Sequence, residues 1–207
     1  MTTAPDQHSY DHPAAWPEER LLRECDFRQG RGKGPGGQHR NKVETLVMVT
    51  HVPTGVTGQA GERRVMTENR RNAIRRLRIN LAMEVRRTPA AAPSPLWLSR
   101  CEAPARGNPF RKDPDPLMRE LGVRLPDPEV SPTGGGRIVC NPSHDDYPAL
   151  LAEALDHIAV ADWSARTAAL QLGVSQSQLI KLIAREPHAL EHVNRERTSR
   201  GKHAYRA

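Results

Sequence analysis

The spacing of apolar and polar positions changes several times along the chain, and each change marks an expected element. Between Val43 and Val52 the apolar residues alternate and then run together, with Val43, Val47 and Val49 on one parity and Leu46 and Met48 on the other. This pattern predicts a strand covered on both faces. Pro53-Thr54-Gly55 supplies turn chemistry, and Val56-Thr57-Gly58-Gln59 returns as the second arm of a hairpin. After Gly61 the period becomes helical. Ile74, Leu77, Leu81 and Val85 recur at spacings of three and four, Arg71, Arg75 and Arg78 lie on a neighbouring stripe, and Glu68 sits in the first turn, where an acid favours the helix dipole.

Further along, the pattern breaks. Thr88 to Pro148 holds 12 of the 18 prolines and the run Gly134-Gly135-Gly136, a composition that propagates neither helix nor central strand. This stretch reads as a connector, although Pro95-Leu96-Trp97-Leu98 and Pro116-Leu117-Met118 carry enough apolar surface to dock locally. From Thr167 to Ile183 the apolar period returns, with Gly173 placed for a turn, Ser175 to cap a second helix and Pro187 beyond its end. The segment resembles a helix-turn-helix.

Charge sharpens the picture once it is divided along the chain. The formal net charge is +7, but residues 20–87 hold 16 bases against 6 acids, while residues 151–193 hold 3 against 5. Residues 194–207 add 5 bases against 1 acid, and residues 1–19 hold 4 acids and no Lys or Arg. A solvated helix face interleaves Glu with Lys, whereas Asn69 to Met83 contains five arginines and no acid. Concentrated arginine suits bidentate phosphate contacts and predicts a polyanionic partner. DNA is disfavoured as that partner, because the second helix of the helix-turn-helix-like segment contributes only Lys181 and Arg185 as cations.

No apolar stretch approaches the roughly 18 residues of a membrane span, and the N-terminal residues lack the features of a secretory signal, so no membrane partner and a cytoplasmic location are expected. Cys25, Cys101 and Cys140 are widely spaced and read as reduced structural thiols. Cys140 and His144 lack a second pair of ligands, so no metal and no cofactor is expected, and His157, His188 and His192 read as ordinary helix and loop residues.

Chemistry concentrates in Arg28-Gln29-Gly30-Arg31-Gly32-Lys33-Gly34-Pro35-Gly36-Gly37-Gln38-His39-Arg40-Asn41-Lys42. Gly32 to Gly37 fits the dinucleotide-binding spacing, but the flanks are cationic rather than an apolar strand and a helix. A phosphate loop of the Gly-Lys-Ser/Thr kind is also missing. What the residues offer is a glycine-rich backbone that can approach another molecule closely, flanked by cations, with the Gln38 amide and backbone N–H able to orient water or bond an oxyanion. No Ser-His-Asp set or carboxylate pair accompanies the loop, so its chemistry is expected to be hydrolysis by a positioned water.

At these residues the sequence resembles the catalytic domain of class I peptide chain release factors. Gly36-Gly37-Gln38 matches the family signature within Gly34-Pro35-Gly36-Gly37-Gln38-His39-Arg40-Asn41-Lys42-Val43, and the likeness continues through His51-Val52-Pro53-Thr54-Gly55-Val56, Glu62-Arg63-Arg64 and Asn69-Arg70. The resemblance implies a loop that enters the peptidyl transferase centre of the large ribosomal subunit and promotes hydrolysis of the peptidyl-tRNA ester. Carried over, the Gln38 N–H stabilises the transition state, the Gln38 side chain excludes nucleophiles larger than water, and Gly36 and Gly37 allow the backbone shape. Arg31, Lys33, His39, Arg40 and Lys42 are then expected to hold the loop against ribosomal RNA, with Arg63, Arg64, Arg71, Arg75 and Arg78 as outer phosphate contacts.

Only about 25 residues precede the likeness, too few for a codon-reading domain, so the resemblance is to the short, codon-independent type that rescues stalled ribosomes. The alternatives are termination with a separate decoding partner and a non-catalytic RNA- or DNA-binding module. The expected architecture is α+β: an N-terminal extension over residues 1–19, a catalytic domain with a short mixed sheet and a basic helix over 20–88, a Pro/Gly-rich connector over 89–144, an all-α helix-turn-helix-like domain over 145–187, and a basic tail over 188–207.

Overall fold

The structure is a computed structural model and describes residues 10–30, 45–102 and 136–206. Three strands, β1 (Cys25–Gly30), β2 (Leu46–His51) and β3 (Thr57–Ala60), form a sheet in the order β1-β2-β3. Both pairings are antiparallel, with Gly30 opposite Leu46 and Val49 opposite Gly58. The α+β class is therefore as the pattern predicts, but the sheet is antiparallel rather than mixed. For β2 and β3 the short connection between His51 and Thr57 requires it, since a parallel pair needs a crossover of a dozen or more residues. The β2–β3 turn uses Gly55 at φ 72°, in the left-handed region that glycine enters without strain, and closes with the His51 N–H donating to the Val56 carbonyl at 2.9 Å.

Helix α1 (Glu18–Arg23) precedes the sheet, and α2 (Met66–Glu84) lies across one of its faces. Of the seam predicted for α2, Ile74, Leu77 and Leu81 are buried, together with Ala73 and Ala82, while Val85 is half-buried just past the helix end. Beneath them lie Val47, Val49 and Ala60, and Gly58 sets the separation of helix and sheet. A Cβ on Gly58 would stand 2.2 Å from the Ala73 carbonyl oxygen and 2.3 Å from the Leu77 nitrogen, so only glycine lets the two backbones approach this closely. The opposite face of β2 is half-covered, so the strand is not enclosed on both sides.

Beyond α2 come α3 (Pro95–Ser99), a two-stranded ladder of β4 (Cys101–Glu102) with β5 (Arg137–Ile138), and four helices: α4 (Tyr147–Val160), α5 (Ala165–Gln171), α6 (Gln176–Ala184) and α7 (Pro187–Ser199). Ser164 and Ser175 cap α5 and α6, each accepting from the backbone N–H three residues on, and Gly173 turns the chain between them at φ 69°. Every residue of α4 from Tyr147 to Ile158 is buried, as expected of a central helix surrounded by others. One of its neighbours is α2, and the buried apolar residues of the described chain form one contiguous cluster.

Two stretches outside the expected domains contribute to this core, one of them the Pro95-Leu96-Trp97-Leu98 phrase expected to dock. Tyr10, Ala14, Ala15 and Trp16, in the expected N-terminal extension, are buried against α2 and α4. In the expected connector, Trp97 is fully buried and its indole N–H donates to the Leu172 carbonyl at 2.9 Å. The chain after Ser199 also folds back, with the Ala165 N–H donating to the Tyr205 hydroxyl oxygen at 2.8 Å and Arg197 stacked 3.8 Å over the Tyr205 ring.

A polar joint closes the contact between α4 and the segments on either side of α2. Asp156, fully buried, accepts from the Tyr10 hydroxyl, from Arg86 Nη1 at 3.0 Å and from the Arg87 N–H at 3.1 Å. Glu153, one turn earlier, accepts from the Ser94 N–H at 2.7 Å and the Ser94 hydroxyl at 2.6 Å. Burial raises the Glu153 pKa and lowers that of His12 nearby. Buried carboxylates persist only with partners of this kind.

Candidate nucleic-acid interface

Segment 31–44 joins Gly30, the last residue of β1, to Thr45, just before β2. Gly36, Gly37 and Gln38, together with Arg31, Lys33, His39, Arg40 and Lys42, lie outside the described residues. What the structure defines is where that segment is attached. On one side Gly30 is paired with Leu46 in the ladder; on the other, Thr45 is gripped by Asn69. Strand β1 was not visible in the apolar pattern, because Phe27 is its only large apolar residue and four of its six residues are exposed. Pairing along the edge of β2 holds it in place.

Asn69 occupies the fourth position of α2 and is completely buried. Helical side chains lean toward the N-terminus, so this one reaches back over the preceding turn. Its Nδ2 donates to the Thr45 carbonyl at 2.7 Å and the Arg63 carbonyl at 2.8 Å, and its Oδ1 accepts from the Arg63 N–H at 2.9 Å. The partners are all backbone groups with fixed donor or acceptor roles, which fixes the orientation of the amide.

Around this anchor the basic helix divides its arginines between two uses. Arg63, Arg64, Arg70 and Arg71 are exposed at its start. Among the described residues no hydrogen bond or ion pair holds the guanidinium of Arg64 or Arg71, and that of Arg63 has only a 3.8 Å pairing with Glu68. Arg70 stacks 4.4 Å over the ring of Phe27, itself 38% exposed at the sheet edge, so a cation and an aromatic ring meet beside the exposed Arg28. Arg70 and Phe27 were not among the residues expected to contact RNA. A lone aromatic in a polar strand three residues before a basic loop was the signal for them.

Arg75 and Arg78 are put to a different use from the phosphate contact expected of them. Arg75 Nη2 donates to the Pro142 carbonyl, and Arg78 Nη1 donates to the Ala14 carbonyl at 3.0 Å. Burial lowers the pKa of Arg78 from its ordinary value. Arg76, not predicted as a contact, pairs with Glu62 at 2.7 Å and donates to the Gln59 carbonyl at 2.7 Å. Seen from the helix axis, the outward cations gather near the hairpin end that carries the loop, and the inward ones fasten α2 to the rest of the chain.

Other titratable groups are engaged in packing. His51, buried beside Trp16, has its Nδ1 2.8 Å from the Thr54 hydroxyl, and burial lowers its pKa. Burial raises the Cys25 thiol to about 11 and the Cys101 thiol to about 12, values that suppress the reactive thiolate. Among the described residues no three His, Cys, Asp or Glu side chains gather as a metal site, and no helix is long and apolar enough to cross a membrane. Near the C-terminus, Arg200 pairs with Glu196 at 2.6 Å, Lys202 pairs with Asp162, and Arg197 donates to the Trp163 carbonyl and, at 2.8 Å, to the His203 carbonyl. Three of the five cations there are thus engaged within the fold.

Comparison with known proteins finds a family and relatives for part of the chain. The RF-1 domain family matches residues 22–95. Peptide chain release factor 1 of Leptospira biflexa is 37% identical over 78 residues, covering 37% of this chain and 22% of that protein. The chloroplastic peptide chain release factor PrfB1 of Arabidopsis thaliana is 45% identical over 65 residues, covering 31% of this chain and 13% of its own length. For peptide chain release factor 1 of Ureaplasma parvum the identity is 45% over 51 residues, covering 25% and 14%. The chain therefore spans between 13 and 22% of the length of these relatives.

Proposed function

We propose, from the match of residues 22–95 to the RF-1 domain family, that this protein promotes ribosome-dependent hydrolysis of peptidyl-tRNA, independently of a stop codon, as a factor that rescues stalled ribosomes. The observation that carries the reading is the union of Gly36-Gly37-Gln38, between the paired strand ends Gly30 and Leu46, with the exposed arginines at the start of α2. Phosphate binding alone has no need for a glutamine between a glycine pair and a run of cations.

In this reading Arg63, Arg64, Arg70, Arg71 and Arg28 meet the phosphates of large-subunit ribosomal RNA, together with Arg31, Lys33, His39, Arg40 and Lys42 of the loop. Fixed cations on a rigid helix and sheet edge release counterions from RNA and orient the domain. Gly36 and Gly37 then present the Gln38 backbone N–H toward the oxyanion that forms when water attacks the ester carbonyl, and the Gln38 side chain limits the nucleophile to water. Such an electrostatic contribution needs neither a side-chain nucleophile nor a cofactor. The nucleophile is water, the bond broken is the ester to the tRNA ribose, and the proton lost by water ends on the leaving hydroxyl.

Codon independence draws its support from the chain beyond residue 95. The family match ends there, and residues 136–206 fold as a helical unit packed on the RF-1 domain. A cytoplasmic location accords with the proposed partner. The α5–α6 pair favours a second reading, in which the chain is a non-catalytic nucleic-acid-binding module, since α6 exposes Gln176, Ser177 and Lys181. Single-turnover release of labelled peptide separates these readings, using ribosomal complexes with an empty decoding site, a sense codon or a stop codon. Release on the empty site that is indifferent to codon and lost in Gly37→Ala supports rescue. Release only on a stop codon points to termination with a decoding partner, and tight binding without release on any template leaves the binding module.

A further inference from the structure

We propose that Asn69 is a positioning residue for the glycine loop, and that the reaction depends on its bond to Thr45 rather than on its contribution to stability. This role rests on the proposed hydrolysis of peptidyl-tRNA. Thr45 is the residue immediately before β2, and Leu46 pairs with Gly30, so the two ends of segment 31–44 are secured by the ladder on one side and by Asn69 on the other. The same amide holds both the N–H and the carbonyl of Arg63, in the turn that carries the exposed arginines. One buried side chain thereby fixes the base of the loop relative to the RNA-facing cations.

Helix propensity does not explain an asparagine here, since its amide competes with helical bonding and favours caps and turns. An apolar residue at this buried position would leave the Arg63 N–H and two carbonyls short of partners, so the site is built for an amide. Misplacing a reacting group by about 1 Å costs on the order of a hundredfold in rate. A loop whose base shifts is expected to lose maximal rate while the exposed arginines still hold the ribosome.

The structure supplies a matched control. Asn80, on the same helix, donates Nδ2 to the Thr57 carbonyl at 2.7 Å, near the opposite end of the hairpin. The experiment compares the full chain with Asn69→Ala, Asn69→Asp and Asn80→Ala, measuring Tm, hydrogen exchange at the Leu46 and Val47 amides, and the maximal rate and half-saturating concentration of peptide release. Asn69→Asp keeps the acceptor for the Arg63 N–H but loses the donation to the Thr45 and Arg63 carbonyls. Both Asn69 variants are expected to lower the maximal rate by about tenfold to a hundredfold, to leave half-saturation within about twofold, and to speed exchange at residues 46–47. Asn80→Ala is expected to lower Tm comparably and change neither the rate nor that exchange.

Equal rate losses in Asn69→Ala and Asn80→Ala at matched Tm would overturn the positioning role, as would a full rate in Asn69→Asp. A wild-type chain that binds ribosomes and releases no peptide would refute the functional reading and remove the positioning role with it. The exchange contrast distinguishes that result from a failure of the anchor itself.

Discussion

The two ends of α2 use the same residue type for opposite purposes. At the start, Arg64 and Arg71 stand exposed, and Arg70 lies over an exposed ring. Further along and just beyond the helix, Arg75 and Arg78 donate to backbone carbonyls, and Arg86 pairs with fully buried Asp156. A count of charges along the sequence treats these as one basic stripe. The fold shows two, and only cations left in solvent can exchange their counterions for RNA phosphates. Inward arginines have their charge answered by carbonyls and a carboxylate, and their long stems fill space between elements.

The largest expected effect lies at the inward end. Asp156→Ala removes the acceptor shared by Tyr10, Arg86 and the Arg87 N–H and leaves a cation short of its partner; a loss of about 4 kcal/mol is expected, measured by urea unfolding. A loss below about 1 kcal/mol would mean that the joint is not closed in solution. Gly58→Ala comes next, since it forces α2 away from the sheet and displaces both sets of arginines together; overpacking of this kind costs about 3 kcal/mol.

Arg78→Ala is expected to cost about 1.5 kcal/mol, through the lost bond to Ala14 and lost packing, with little change in the salt dependence of ribosome binding. The paired substitution Arg64→Ala with Arg71→Ala should do the reverse. Stability stays within about 0.5 kcal/mol, while the slope of log affinity against log salt falls by about 2. Should Arg78→Ala lower that slope as much as the paired substitution, the division between the two ends would not hold.

A smaller effect concerns pH. Burial lowers the pKa values of His12, His51, His157 and His192 below the ordinary 6.5, so the unfolded chain takes up protons first as pH falls. Stability contributed by these neutral imidazoles is intact above pH 6.5 and declines progressively below it. Glu153 acts in the opposite sense, because burial raises its pKa above 4.5 and protonation relieves a buried charge. Four histidines against one carboxyl predict a net fall in Tm between pH 7 and pH 5, seen in a calorimetric series. A flat Tm across that range would contradict the burial of these rings.

The hairpin and α2 were legible because their periods are local: alternation in Val43 to Val52, threes and fours in Ile74 to Val85, and a Pro-Thr-Gly turn that demands a positive φ. Strand β1 was not, since Asp26, Arg28 and Gln29 mask its period and long-range pairing with β2 holds it. Tyr10 to Trp16 looked like an extension because nothing local says that Tyr10 will meet Asp156 from 146 residues away. The same reason hid the inward turn of Arg75 and Arg78, whose carbonyl partners come from distant segments. Asn69 stands within a recognisable motif, but its role depends on a contact 24 residues away.

The most direct test of the central claim is the rate of peptide release from ribosomal complexes with an empty decoding site, at saturating protein, for the wild type against Gly37→Ala, with binding of each to the ribosome followed in parallel. Release by the wild type is expected, with a loss of more than about a hundredfold in Gly37→Ala and equal binding by both. Equal binding with no release by the wild type would contradict the claim, leaving the exposed arginines of α2 as an RNA contact without a reaction.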